Sequence, residues 1–313
     1  MIDIYLTNEQ DQLIKKDELA KGCWINLTRP SEFEVRKVVE GTGIPSDFIR
    51  DSLDDDERSR IEKEDDTVLI IVDFPVLVED DSESAPYDTI PLGIIVTSFY
   101  FVTVCLESNP IIDDFIQNRI RNFFTYKKTR FTLQLLYSIA RYYLKYLRSI
   151  DRKTSLIERE LHESMRNKEL FNLLNLEKTL VYFTTSLKSN NIVMEKMTKQ
   201  RFLRMYEDDQ DLLEDVIIEI KQAIEMSEVH SNILSGMMDA YASVISNNVN
   251  VVMKFLTTVT IVLSIPTMVA SFYGMNVDQI PFQHASHAFW VPIMIALVLS
   301  GITALWFWKK KYF

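Results

Sequence analysis

Hydrophobic and polar positions follow three different rhythms along the chain. In the first third, short β-rich runs such as Thr67–Val72, Ile94–Thr97 and Tyr100–Val104 alternate with helical stretches such as Glu32–Val39. Turn signals at Ala85-Pro86 and Asn109-Pro110 bound them, which predicts an α/β or α+β domain over residues 1–110. From 111 to 235 there is neither Gly nor Pro, and Leu, Glu, Lys and Arg dominate, so residues 111–248 are expected to form long helices. The break is placed at Ser189-Asn190-Asn191, leaving two antiparallel helices and then one continuous helix. Unbroken to Phe272, that last helix would measure about 120 Å at 1.5 Å per residue. The final rhythm is apolar: 23 residues from Phe255 to Val277, and 21 from Ala288 to Trp308, contain no Asp, Glu, Lys or Arg. Each is long enough to cross a hydrocarbon core of about 30 Å, although two buried helices of a soluble core would give the same runs.

Two stripes are superimposed on the long helix. Steps of three and four from Leu213 give Val216, Ile220, Ala223, Ser227, His230, Leu234, Met237, Tyr241 and Val244, a mostly apolar coiled-coil seam on which His230 reads as a packed histidine. The same steps from Asp239 give Ser243, Ser246, Asn250, Met253, Thr257, Thr260, Ser264, Thr267 and Ser271, of which only Met253 is apolar. Hydroxyls on an apolar helix serve either as close-packing contacts between helices or, with several copies around an axis, as the lining of a watery path. One chain with two spans cannot enclose such a path, so the second reading requires an oligomer.

Charge adds an orientation. Lys309, Lys310 and Lys311 follow the second run, while the loop 278–287 holds no Lys or Arg, which places both long ends in the cytoplasm. Trp290 at one end and Trp306, Trp308 and Tyr312 at the other fit aromatic belts at a membrane interface. The net charge of −11 is concentrated in residues 1–110, where 10 Lys and Arg face 25 Asp and Glu. No basic patch in the sequence suggests nucleic-acid binding. Cys23 and Cys105 are too few for a disulfide framework and lack metal-ligand spacing, as expected in a reducing compartment. The start, Met1-Ile2-Asp3-Ile4-Tyr5, has neither the pattern of a signal peptide nor that of a transit peptide. Four His, two Cys and no phosphate-binding Gly loop provide no catalytic set, so no enzyme is expected.

At the end of the first run stands Tyr273-Gly274-Met275-Asn276. Gly274 suits a chain leaving a helix, and Asn276 offers an uncharged donor and acceptor. This motif, placed before a short loop, a last span and a Lys-rich tail, resembles the CorA family of magnesium transporters, and the resemblance covers the whole layout. It implies a funnel-shaped homopentamer in the cell membrane, with a cytoplasmic α/β domain (1–110) and a helical stalk (111–248). A pore-lining first span (249–276), an outer loop (277–287), a second span (288–308) and a basic tail (309–313) follow. It further implies a ring of Asn276 with Gly274 carbonyls nearby that holds hydrated Mg2+. Below it Ser271, Thr267, Ser264, Thr260, Thr257, Asn250 and Ser246 would line the path. Met253 and Leu256 match the family's apolar constriction and Asp239 its inner acidic ring. Pro266 departs from some relatives and introduces a kink that leaves open which hydroxyls face the ion.

The resemblance also implies regulatory Mg2+ held between subunits by carboxylates. Asp215 stands where the helix partner is expected, beside Glu207, Asp208, Asp209, Asp211 and Glu214; Glu64, Asp65 and Asp66 are the candidates on the α/β domain. A solvated acidic surface accounts for any one of these equally well. Cobalt, nickel or zinc transport on the same architecture is the nearest alternative. A membrane-anchored coiled-coil sensor that conducts nothing is the alternative of a different class.

Overall fold

The computed structural model describes residues 1–78, 85–163, 167–276, 281 and 289–310. The loop expected over 277–287, Pro281 apart, and Lys311 and Tyr312 of the tail lie outside the described residues. The chain divides into two compact units, Met1–Gly236 and Met237–Phe313.

The first unit is built on a seven-stranded sheet. Its strands are β1 (Ile2–Thr7), β2 (Leu13–Lys16), β3 (Trp24–Thr28), β4 (Arg60–Glu64), β5 (Thr67–Leu77), β6 (Tyr87–Val96) and β7 (Phe101–Cys105), in the order β2-β1-β3-β7-β6-β5-β4. Only β3 and β7 pair in parallel, Trp24 opposite Phe101. The expected strands form within β5, β6 and β7, and the helix expected from Glu32 is α1 (Glu32–Thr42), capped by a reciprocal Ser31–Glu34 box. The turn signal at Asn109-Pro110 begins a helix instead. Asn109 caps α3 (Pro110–Ile116), its side chain accepting from the Ile111 N–H, and Pro110 takes the first helical position.

Both faces of the sheet are covered, which is why its central strands read as unbroken apolar runs. On one face α1 and α2 (Ser46–Asp51) bury Val35, Val38, Phe48 and Ile49 against Ile25, Leu27, Leu69, Ile71, Ile95, Val102 and Val104. Helix α2 comes so close that a Cβ on Gly93 of β6 would stand 2.0 Å from the Ser52 Oγ. On the other face Trp24 and Phe101 meet Phe131 at ring-centroid distances of 5.0 and 4.1 Å. The Trp24 Nε1–H donates to the Thr103 hydroxyl (2.8 Å), which donates to Asn26 (2.8 Å), so the polar groups of these three side chains are paired.

The long helices are α4 (Lys128–Glu163), α5 (Asn167–Lys199) and α6 (Glu207–Tyr273). The break expected at Ser189-Asn190-Asn191 does not occur: α5 runs through all three residues and ends at Lys199. The reason is Asn190, 1% exposed, whose amide accepts from the Asp73 N–H (2.9 Å) and donates to the Asp73 carbonyl (2.7 Å). A residue type that suggests a turn here docks a helix on the backbone of β5. Because α6 starts only at Glu207, its 67 residues give about 100 Å of helix rather than 120. The seam from Leu213 is borne out over its first turns: Leu213, Val216, Ile220, Ala223, Ser227 and Leu234 are buried. The Ser227 hydroxyl meets α5 at Leu180 O and Thr184 Oγ1. His230 turns its Nδ1 toward Asp151 of α4 at 3.7 Å.

In the second unit the remainder of α6 is accompanied by α7 (Trp290–Lys309). Both helices are long and apolar enough to cross a membrane. Their large apolar side chains stand open, Leu263 66% and Leu297 63% exposed, which is the opposite of buried core helices. The helix continues through Pro266, which offers no N–H to the carbonyl of Val262 one turn back.

Candidate functional site

The two faces of α6 in the second unit differ in chemistry. Pro266, Ala270, Tyr273 and Gly274 face Phe289, Pro292, Ile293, Ala296 and Leu297 of α7 across a cavity of about 520 Å³. The hydroxyl stripe lies roughly a third of a turn away round the helix. There Thr260, Ser264, Thr267 and Ser271, with Leu263, Met268, Phe272 and Met275, line an open groove of about 660 Å³. Asp239, Ser246, Asn250, Met253, Leu256 and Thr257 continue the stripe, and all of them are exposed. The hydroxyls therefore do not serve as packing contacts between the two spans of one chain.

Their hydrogen bonds give the stripe a polarity. Thr257 donates to Met253 O (2.7 Å), Thr260 to Leu256 O (2.8 Å), Ser264 to Thr260 O (2.7 Å) and Thr267, more weakly, to Leu263 O (3.5 Å). Each of these four hydrogens points back along the helix, so each oxygen presents lone pairs outward. At the end of the helix the Gly274 N–H still donates to Ala270 O (2.9 Å), and Met275 tightens onto Phe272 O (3.4 Å). The helix ends at Tyr273, so Gly274 stands where the chain leaves it, and it does so without a positive φ. What it contributes is the absence of a Cβ that would stand 3.2 Å from Ala270 O. Tyr273 is half-buried, and Met275 and Asn276 stand exposed beyond the helix. Lys309 is the last residue of α7 and Lys310 follows it, both exposed.

Of the candidate regulatory carboxylates, Asp66, Asp208 and Asp209 line one cavity, whereas Asp65 and Asp215 are not part of its lining. Asp65 and Asp66 form the turn between β4 and β5, where Asp65 has φ +50° and Asp66 accepts from the Ser98 hydroxyl at 3.4 Å. Asp215 is exposed on α6. Among the described residues, no group of three or more His, Cys, Asp and Glu is placed to hold a metal ion. Asp209 instead stabilises the start of α6, where it accepts from the Tyr206 N–H (3.2 Å) and pairs with Arg130 (3.5 Å). Cys23 and Cys105 are buried and unpaired, and burial raises the Cys105 thiol to about 11, so neither is a reactive thiolate.

Sequence reasoning missed one cluster. A cavity of about 1080 Å³ opens where the β4–β5 turn, the β6–β7 turn, the residues before α4 and the start of α6 converge. Lys63, Lys127, Lys128, Arg130 and Arg204 line it, beside Asp66, Asp208 and Asp209. The run Lys127-Lys128-Thr129-Arg130 is its only local signal; the other cations come from segments far apart in sequence.

Residues 20–311 match the model of a family described as CorA-like Mg2+ transporter protein. The chain belongs to the CorA family. Among curated CorA proteins, the cobalt/magnesium transport protein of Methanocaldococcus jannaschii is 27% identical over 92% of each chain. The cobalt/magnesium transport protein of Thermotoga maritima is 24% identical over 98% of this chain and 88% of its own. The complete structure of the Methanocaldococcus jannaschii CorA magnesium transporter matches all of this chain with a TM-score of 0.88 at 24% identity, which shows a shared fold. The full-length CmaX protein matches 99% of this chain with a TM-score of 0.73 at 14% identity.

Proposed function

We propose that the chain is one subunit of an oligomeric, passive pathway that admits hydrated magnesium down its electrochemical gradient. The observation that carries this reading is the orientation of the stripe hydroxyls. A hydrated cation presents only O–H donors at its surface, and Mg2+ surrenders its inner waters reluctantly. A wall of oxygens whose own hydrogens are turned inward accepts from those waters without charge and without stripping them. Two spans cannot enclose a pore, so copies must meet around the stripe, and the family resemblance supports five of them.

In this reading Asn276 forms the outer ring, with Tyr273, Gly274 and Met275 as its support. An uncharged amide ring holds a divalent ion weakly enough to release it. Met253 and Leu256 close the path by excluding water, and Asp239 gathers cations below them. Lys309, Lys310 and Lys311 place both termini in the cytoplasm. Intracellular Mg2+ bridging Asp215 of one subunit to Asp65 or Asp66 of the next holds the ring closed. Its loss leaves like charges facing each other and favours opening. The relatives named for cobalt as well as magnesium support Co2+ as a second ion carried.

The test is flux of Mg2+ into liposomes containing the purified protein. We expect uptake that Asn276→Ala abolishes and that magnesium raised on the cytoplasmic side suppresses. Absence of flux in every condition would leave the non-conducting sensor as the better reading. Flux indifferent to cytoplasmic magnesium would remove the gating role of the carboxylates alone.

A further inference from the structure

We infer that the cationic cavity of the first unit is a binding site for a nucleoside polyphosphate. Its volume of about 1080 Å³ accommodates a ligand of that size. Two of its five cations are already engaged: Lys128 donates to the carbonyls of Thr97 (2.5 Å) and Ser98 (2.6 Å), and Arg130 to Asp208 O (3.0 Å). Burial lowers the Lys128 ammonium from its usual range. The other three, Lys63, Lys127 and Arg204, make no ion pair among the described residues. Five cations against Asp66, Asp208 and Asp209 leave the lining with a net charge of +2, in a chain whose net charge is −11.

Aromatic rings line the same cavity. Lys127 lies over the Phe124 ring at 4.4 Å and Arg204 over the Tyr206 ring at 5.7 Å. Phe124 and Tyr126 face one another at 5.5 Å between ring centroids. Lys and Arg are the side chains that recognise phosphate, Arg through two parallel N–H donors. Tyr and Phe faces supply stacking surfaces for a base. Simple anions need the cations only; a nucleotide uses both halves of the lining. Every residue of the site precedes Gly236, so the assignment is independent of whether the chain conducts ions.

The experiment is calorimetric titration of the full-length protein in detergent at physiological ionic strength, with ATP in excess magnesium and, separately, with inorganic tripolyphosphate. We expect saturable ATP binding, weakened at least about tenfold by Lys127→Gln with Arg204→Gln and severalfold by Tyr126→Ala. Arg141→Gln and Lys145→Gln, which line a different cavity, should leave it unchanged. Unaltered thermal unfolding midpoints establish that the variants are folded. Three results would each overturn the site: no saturable binding of ATP, binding indifferent to Lys127 and Arg204, or tripolyphosphate binding as tightly as ATP.

Discussion

Asn190 shows how a single residue type can mislead and then explain. Its amide satisfies both the N–H and the C=O of Asp73 and also accepts from the Ser59 hydroxyl at 2.9 Å. In sequence Ser189-Asn190-Asn191 has the polarity of a turn; in the fold it is a buried docking point, and nothing local separates the two. We expect Asn190→Leu to lower stability by about 1–3 kcal/mol, because two backbone groups of β5 lose their partner. Chemical denaturation of the purified protein measures it. Asp73 itself supplies a pH-dependent test. Burial raises its carboxyl above the ordinary 3.8, against the lowering effect of the Ser186 and Ser59 hydroxyls. The folded protein then keeps this proton to higher pH than the unfolded chain, so stability is lost as pH rises from the ordinary value through the raised one. Asp73→Asn should raise the thermal midpoint at neutral pH, and the gain should vanish below about pH 3.8.

Among the elements, α6 was the most legible and the least complete. The two rhythms on it were readable because the apolar seam and the polar stripe each keep a helical period for many turns. The direction of the hydroxyl hydrogens was not, since it depends on carbonyls four residues back rather than on neighbouring residue types. That direction can be tested within one helix. Thr260→Val preserves shape but removes an outward oxygen, and should reduce magnesium flux severalfold in liposomes. Thr258→Val alters a threonine that is 1% exposed and donates to Lys254 O, and should leave flux unchanged. Equal effects from both would refute the role given to the stripe.

For the molecule as a whole, family membership was legible from the Tyr273–Asn276 motif and its place before the last apolar run. The seven-stranded sheet was not, because β2 and β4 hold one or no fully buried side chain each and carry the charges of loops. The cationic cavity was invisible for a related reason: its lining is assembled from separate turns. If copies surround the stripe, the purified protein should have the mass of five 36.6 kDa chains by light scattering after the detergent contribution is removed. A monomer that still conducts would contradict the enclosed path.

The order of the sheet leaves β2 and β4 as its two open borders. Lys15 and Lys16 lie on one, and Arg60, Glu62, Lys63 and Glu64 on the other. A strand border ordinarily invites the backbone of another chain to extend the ladder, and charged side chains make such an addition costly. The two strands least visible in the hydropathy pattern are thus the ones that protect the protein from edge-to-edge aggregation when many copies are crowded together.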